Sequence, residues 1–229
     1  MKSFLLSLSL LVLLACEKNN AKTMIPADTL TYLAIGDSYT IGEAVPLSGS
    51  FPHQLTKLLK VKGLDVGMPK IIAKTGWTSS ELQQGIKTAA VQQKFGLVTL
   101  LIGVNNQYRG ESKAVYRKEF KELLETAIAF SGGQKAHVFV VSIPDWGATP
   151  YGQQSGRDIS AIATDIDAFN AINKEETLAH GISYTDITAA SRLAASDGAL
   201  VASDGLHPSE KMYLDWAVLL EPKVLKGLK

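Results

Sequence analysis

Five short apolar runs, each followed by a stretch with helical spacing, constrain this chain more than any other feature of its sequence. Residues 32–35, 69–73, 97–102, 137–143 and 181–186 read as strands, the second being the weakest. The third and fourth are nearly unbroken apolar runs, as expected for parallel strands covered on both faces. Between the runs, apolar residues recur at helical intervals. Leu55, Leu58 and Leu59 form one set, Leu82, Ile86, Ala89 and Ala90 a second. Phe120, Leu123, Leu124, Ala127 and Ile128 form a third, and Ile162, Ile166, Phe169, Ile172 and Leu178 a fourth. A last helix is expected to open with Pro208 at its first position, placing His207 at the N-cap, and to carry Met212, Trp216, Leu219 and Leu220 on one face. Strand–helix alternation of this kind implies right-handed crossovers and a parallel sheet. The expected fold is a single three-layer α/β/α sandwich with a five-stranded parallel sheet, formed by residues 29–229.

The first 28 residues stand apart. Met1-Lys2 precedes a Leu-rich segment from Phe4 to Leu14, too short to span a bilayer as a stable helix. It closes with Leu13-Leu14-Ala15-Cys16, the pattern of a bacterial lipobox, and Cys16 is the single cysteine of the chain. Residues 1–15 are therefore expected to be a lipoprotein signal peptide, with Cys16 as the lipidation site. Residues 16–28, polar and rich in Asn and Lys, are expected to be a flexible tether. Anchoring would come from acyl chains alone, which places the expected location in a bacterial cell envelope, facing periplasm or exterior. One cysteine allows no intramolecular disulfide.

Candidate chemistry begins after the first strand. Gly36-Asp37 breaks the apolar run and Ser38 follows at once. In open α/β sheets ligands bind outside the carboxyl ends of strands, so Ser38 is positioned either as a nucleophile or as an ordinary turn or cap serine. Far downstream, Asp204-Gly205-Leu206-His207 places a carboxylate three residues before an imidazole, with a glycine between. A tight turn there would bring the carboxylate to the ring Nδ1–H, fixing its tautomer and stabilising the imidazolium. Asp186 is the alternative orienting acid and Ser142 the rival nucleophile; neither has an equally close partner in sequence. The remaining histidines, His53, His137 and His180, lack metal-ligand spacing. No phosphate-binding loop or dinucleotide glycine motif occurs. A net charge of +1 without a basic run gives no footprint for nucleic acid. No metal or cofactor is expected.

Taken together, Gly36-Asp37-Ser38, Lys74-Thr75-Gly76-Trp77, Gly103-Val104-Asn105-Asn106 and Asp204-x-x-His207, in this order, resemble the GDSL-type SGNH hydrolases. The resemblance covers essentially all of residues 29–229 and implies a flavodoxin-like sheet. It also implies a serine esterase working through an acyl-enzyme. Ser38 would be the nucleophile, His207 the general base and Asp204 its orienting acid. The N–H groups of Ser38 and Gly76 and the Asn105 amide would form the oxyanion hole. The expected substrate is a small-molecule ester, an acylated glycan or lipid. The alternative is a non-catalytic lipoprotein that uses the same scaffold to bind such a molecule. Tyr108, Trp146 and Tyr151 lie in loops after the third and fourth strands, where they would line a substrate pocket or brace the loops. Two positions depart from the family pattern: Tyr39 stands where its name has leucine, and Asn106 where an aspartate is usual.

Overall fold

The computed structural model describes residues 29–229; the expected signal peptide, Cys16 and tether lie outside them. The elements follow in the order β1 (Tyr32–Gly36), α1 (Ser38–Ile41), α2 (Phe51–Val61), β2 (Lys70–Ala73), α3 (Ser79–Ala89), β3 (Leu97–Leu101), α4 (Val104–Tyr108) and α5 (Lys113–Phe130). Then come β4 (Val138–Val141), α6 (Pro150–Gln154), α7 (Ile159–Ala179), β5 (Ser183–Thr185), α8 (Thr188–Ser191) and α9 (Glu210–Gly227). Short 3-10 turns fill several of the connections.

The sheet has five parallel strands in the order β2-β1-β3-β4-β5. Every residue of β1, β3 and β4 is buried, which is why these strands read as continuous apolar runs. The edge strands β2 and β5 are partly exposed and carry Lys70, Ser183 and Tyr184, so their sequence signal is weaker. Helices α2 and α9 pack on each other as one layer, and α3, α5 and α7 form the other. Each lays an apolar face on the sheet: Leu55 and Leu59 from α2, Phe120, Leu123 and Leu124 from α5, Trp216 and Leu220 from α9 are buried in one continuous core.

The strand order sets the place of chemistry. From β1 the chain crosses to β2 on one side, and later to β3 on the other. Crossovers that diverge in this way leave a crevice at the carboxyl ends of β1 and β3. Gly36 ends β1 opposite Leu101 at the end of β3. A Cβ on Gly36 would come within 2.3 Å of the Leu101 carbonyl oxygen and 2.2 Å of Thr40 Oγ1. Only glycine allows the chain to turn this tightly between strand and helix.

The start of α9 differs from the sequence expectation. Pro208 is not the first helical residue, nor is His207 the N-cap. The helix begins at Glu210, and the Ser209 hydroxyl caps it by accepting from Met212 N–H. Residues 207–209 instead run extended beside 200–202: Ala202 N–H donates to His207 O (2.8 Å) and Ser209 N–H to Leu200 O (2.9 Å). Proline fits such an extended segment as well as a first turn, and the serine after it is the better cap.

Candidate active site

The turn after β1 presents the first group. Asp37, not Ser38, caps α1, its carboxylate accepting from Tyr39 N–H at 3.0 Å. That leaves the Ser38 hydroxyl, at the first helical position, unused by the cap. It meets His207 Nε2 at 3.0 Å. Beyond the ring, His207 Nδ1 lies 2.6 Å from Asp204 Oδ2. With Nδ1–H donating to the carboxylate, Nε2 carries the lone pair and accepts from the Ser38 hydroxyl.

Local structure holds this chain of contacts rigid. Asp204 Oδ1 accepts from the N–H groups of both Leu206 and His207, at 3.0 Å each. Burial works against the Asp204 carboxylate, but the hydrogen bonds from the His207 ring and these two N–H groups outweigh it, holding the group below the usual carboxylate range. The Tyr39 ring packs on the His207 ring with centroids 5.0 Å apart. Ser38 and His207 are both buried.

A second set of groups faces the same space. Gly76 sits in the turn after β2 with φ +83°, a left-handed conformation that favours glycine. Arg109 Nη2 donates to Gly76 O at 2.6 Å, fixing that turn from the end of α4. Among the described residues, neither the Ser38 N–H nor the Gly76 N–H has a protein acceptor. The Asn105 amide donates to Trp77 O at 2.9 Å; its second hydrogen has only Asp37 Oδ2, at 3.5 Å. One cavity of about 200 Å³ is lined by Ser38, His207, Gly76, Asn105, Tyr108, Trp146 and Tyr151, together with Tyr39, Thr75, Val104 and Leu206.

The structure thus brings the sequence-predicted residues to one place. Asp204 stands behind the histidine rather than on the cavity wall. The two rivals lie elsewhere: Asp186 accepts from Thr188 N–H, and the Ser142 hydroxyl is bonded to Thr188 and accepts from Ile187 N–H, inside a buried polar network after β4. Asn106 is fully buried and stitches α4 to α3. Its Oδ1 accepts from Ser79 N–H (3.0 Å), and its amide donates to Ser79 Oγ (2.7 Å) and Glu111 Oε2 (2.8 Å).

Two groups went unassigned by sequence reasoning. Asp37 is completely buried beside Ser38, and burial pushes its carboxyl up to about 7 despite the stabilising Tyr39 and Asp37 N–H groups. Arg157 lays its guanidinium 4.2 Å from the Tyr108 ring centroid and 5.5 Å from that of Trp146. Nothing in the local sequence marks either role, since both depend on neighbours distant along the chain. No group of three or more His, Cys, Asp or Glu that could hold a metal occurs among the described residues. Nor is any helix among them long and apolar enough to cross a membrane.

Residues 34–214 match the family model described as GDSL-like Lipase/Acylhydrolase family. A comparison with curated proteins finds no match. Solved structures with the same fold include TesA, at 20% identity and a TM-score of 0.66 over 87% of this chain and 99% of that one. A lipase/acylhydrolase from Enterococcus faecalis aligns at 20% identity with a TM-score of 0.63, over 85% and 95% of the two chains. An acetylxylan esterase from Geobacillus stearothermophilus aligns at 17% identity with a TM-score of 0.61, over 87% and 94%. At these identities the likeness is one of fold.

Proposed function

Because the chain belongs to the GDSL-like lipase/acylhydrolase family and is a carboxylic ester hydrolase, we propose that it cleaves esters through Ser38, His207 and Asp204 by way of an acyl-enzyme. The observation that carries this reading is the continuous path Ser38 Oγ–His207–Asp204, at 3.0 and 2.6 Å. A serine hydroxyl is a weak nucleophile until an adjacent base takes its proton. In the proposed reaction His207 Nε2 accepts that proton as Ser38 Oγ bonds to the ester carbonyl carbon. The imidazolium forms against the Asp204 carboxylate, which hydrogen bonding already holds ionised. Nε2 then returns the proton to the departing alkoxide, leaving the acyl group on Ser38 and releasing the alcohol. Water, deprotonated in turn by Nε2, attacks the acyl carbon; the bond to Ser38 Oγ breaks, Nε2 returns the proton to that oxygen, and the acid leaves.

Charge that develops on the carbonyl oxygen needs donors already in position. The Ser38 and Gly76 N–H groups, which lack acceptors among the described residues, and the Asn105 hydrogen that there meets only a distant Asp37 oxygen suit that role. The substrates are small esters in which an acyl or acetyl group is carried by a carbohydrate or a lipid, and no cofactor enters the reaction. Labelling with a fluorophosphonate, read by intact mass, tests the assignment: one adduct is expected on the wild type and none on Ser38→Ala. An unlabelled, folded wild type would refute the activated serine.

The same reading extends to location. Cys16 is the proposed lipid attachment site, holding the domain at the cell envelope through residues 16–28. Metabolic labelling with a fatty-acid analogue should mark the wild type and not Cys16→Ser; equal labelling of both would reject it.

A further inference from the structure

The cavity beside Ser38 is small and bounded on one side by aromatic residues from two separate segments. Tyr108 comes from the end of α4, Trp146 from the turn after β4, and Tyr151 from α6. The Tyr108 and Tyr151 hydroxyls hydrogen-bond at 2.9 Å, joining α4 to α6. Both rings are part-exposed, at 36% and 41%, so this bridge lies at the rim. Trp146, in contrast, is 1% exposed. Its ring packs 5.2 Å from Tyr108 and 6.1 Å from Tyr151, and its Nε1–H donates to Gln107 Oε1 at 2.8 Å.

Two further ties hold the bridge. Tyr151 N–H donates to Gly205 O at 2.9 Å, linking α6 to the turn that carries Asp204 and His207. Arg157 covers one face of Tyr108 and donates from Nη1 to Tyr108 O at 3.0 Å. That face is therefore not open for a sugar ring to stack on, and Trp146 is too deeply buried to offer one. Tyr108 and Trp146 act as a wall rather than a platform.

From this geometry we infer that the Tyr108–Tyr151 bridge is a clasp that closes the acyl side of the cavity and restricts the enzyme to esters of short acyl groups. The inference rests on the serine-hydrolase reading above. A cavity of about 200 Å³ lies below the range of roughly 300–1,000 Å³ usual for ligand pockets, and so suits a short acyl group better than a long one. Beside the clasp, the surface groove that also contains Arg157 mixes Lys113, Asp158 and Asp165 with Ala161, Ile162 and Ala168, so it offers a longer chain no uniformly apolar continuation. Tyr108 and Tyr151 thereby determine specificity without taking part in proton transfer.

The test is kcat/KM for p-nitrophenyl acetate, butyrate and octanoate, with the leaving group held constant, on wild type, Tyr151→Ala and Tyr108→Ala. The wild type should favour acetate over octanoate by about tenfold or more, and each variant should raise the octanoate-to-acetate ratio by about tenfold. A wild type that already prefers octanoate would overturn the inference. So would a ratio that stays within about twofold of wild type in both variants, which is what a merely structural pair would give. Fluorophosphonate labelling of the wild type separates the two claims. An adduct together with an unmoved ratio removes the clasp alone, whereas no adduct and no turnover of any ester removes the serine-hydrolase reading and the clasp with it.

Discussion

At the scale of single residues, Asn106 shows how a departure from a family pattern can be locally compensated. Its amide donates to the Glu111 carboxylate and to Ser79 Oγ, and Ser79 Oγ in turn donates to Glu119. A carboxylate at position 106 would face the Glu111 carboxylate at hydrogen-bond distance and leave Ser79 Oγ without that donor. Two carboxylates so close cannot both ionise cheaply. Asn106→Asp is therefore expected to lower the unfolding free energy by about 2 kcal/mol, or roughly 4–8 °C in Tm for a chain of this size. Adding Glu111→Gln should restore most of it. Thermal denaturation of the single and double variants at neutral pH checks this, and an equal loss in both would show that Glu111 is not the compensating partner. The asparagine thus fits its own surroundings, and Asn105, one residue earlier, keeps its place on the cavity wall.

At the scale of elements, the turn that carries Gly76 depends on the first turn of α3. Thr78 caps that helix in a reciprocal box with Glu81, whose carboxylate accepts from Thr78 N–H at 2.9 Å and pairs with Arg109 at 3.2 Å. Thr78→Ala should cost about 1 kcal/mol in urea denaturation and speed amide exchange selectively in the first turn of α3. Uniform exchange across the helix would argue against a capping role. The cap was legible in sequence, since Thr78-Ser79-Ser80-Glu81 is a recognisable start signal, and the five strands were legible in their places. The helices α4 and α6 were not. Each is five residues long, too short for periodicity to register. They exist because neighbours hold them: Trp146 and Asp165 bond Gln107, and Gly205 O receives Tyr151 N–H. The start of α9 was misread for a related reason. Pro208 suits two local conformations, and only pairing with residues 200–202 decides between them.

At the scale of the whole molecule, the buried Asp37 couples global stability to pH. Its folded-state value of about 7 lies above the ordinary carboxylate value of 3.8. Its contribution is fully present below pH 4, where both states hold the proton, and is lost as pH rises towards 7, because the unfolded chain then releases a proton that the folded one retains. Between pH 5 and 8 the wild type should lose about 2–3 kcal/mol relative to Asp37→Asn, which has no proton to release. Urea titrations at the two pH values give the comparison directly, and a pH-independent difference would mean that Asp37 is ionised throughout. Sequence reasoning placed Asp37 in a motif but had no access to this behaviour, because its burial is produced by the assembled sheet and helices.

The distance along the chain between Ser38 and His207, 169 residues, has a consequence in time. At a synthesis rate of about 5–20 residues per second, roughly 10–30 s separate the appearance of Ser38 from that of His207. Throughout that interval β1, β3 and the turn bearing Ser38 can already be made, yet His207, the imidazole that meets Ser38 Oγ in the folded domain, has not been synthesised. On the proposed reading, a nascent chain that holds Ser38 but not His207 is silent towards esters, and reactivity arrives in one step, when the segment before α9 docks beside Ser38.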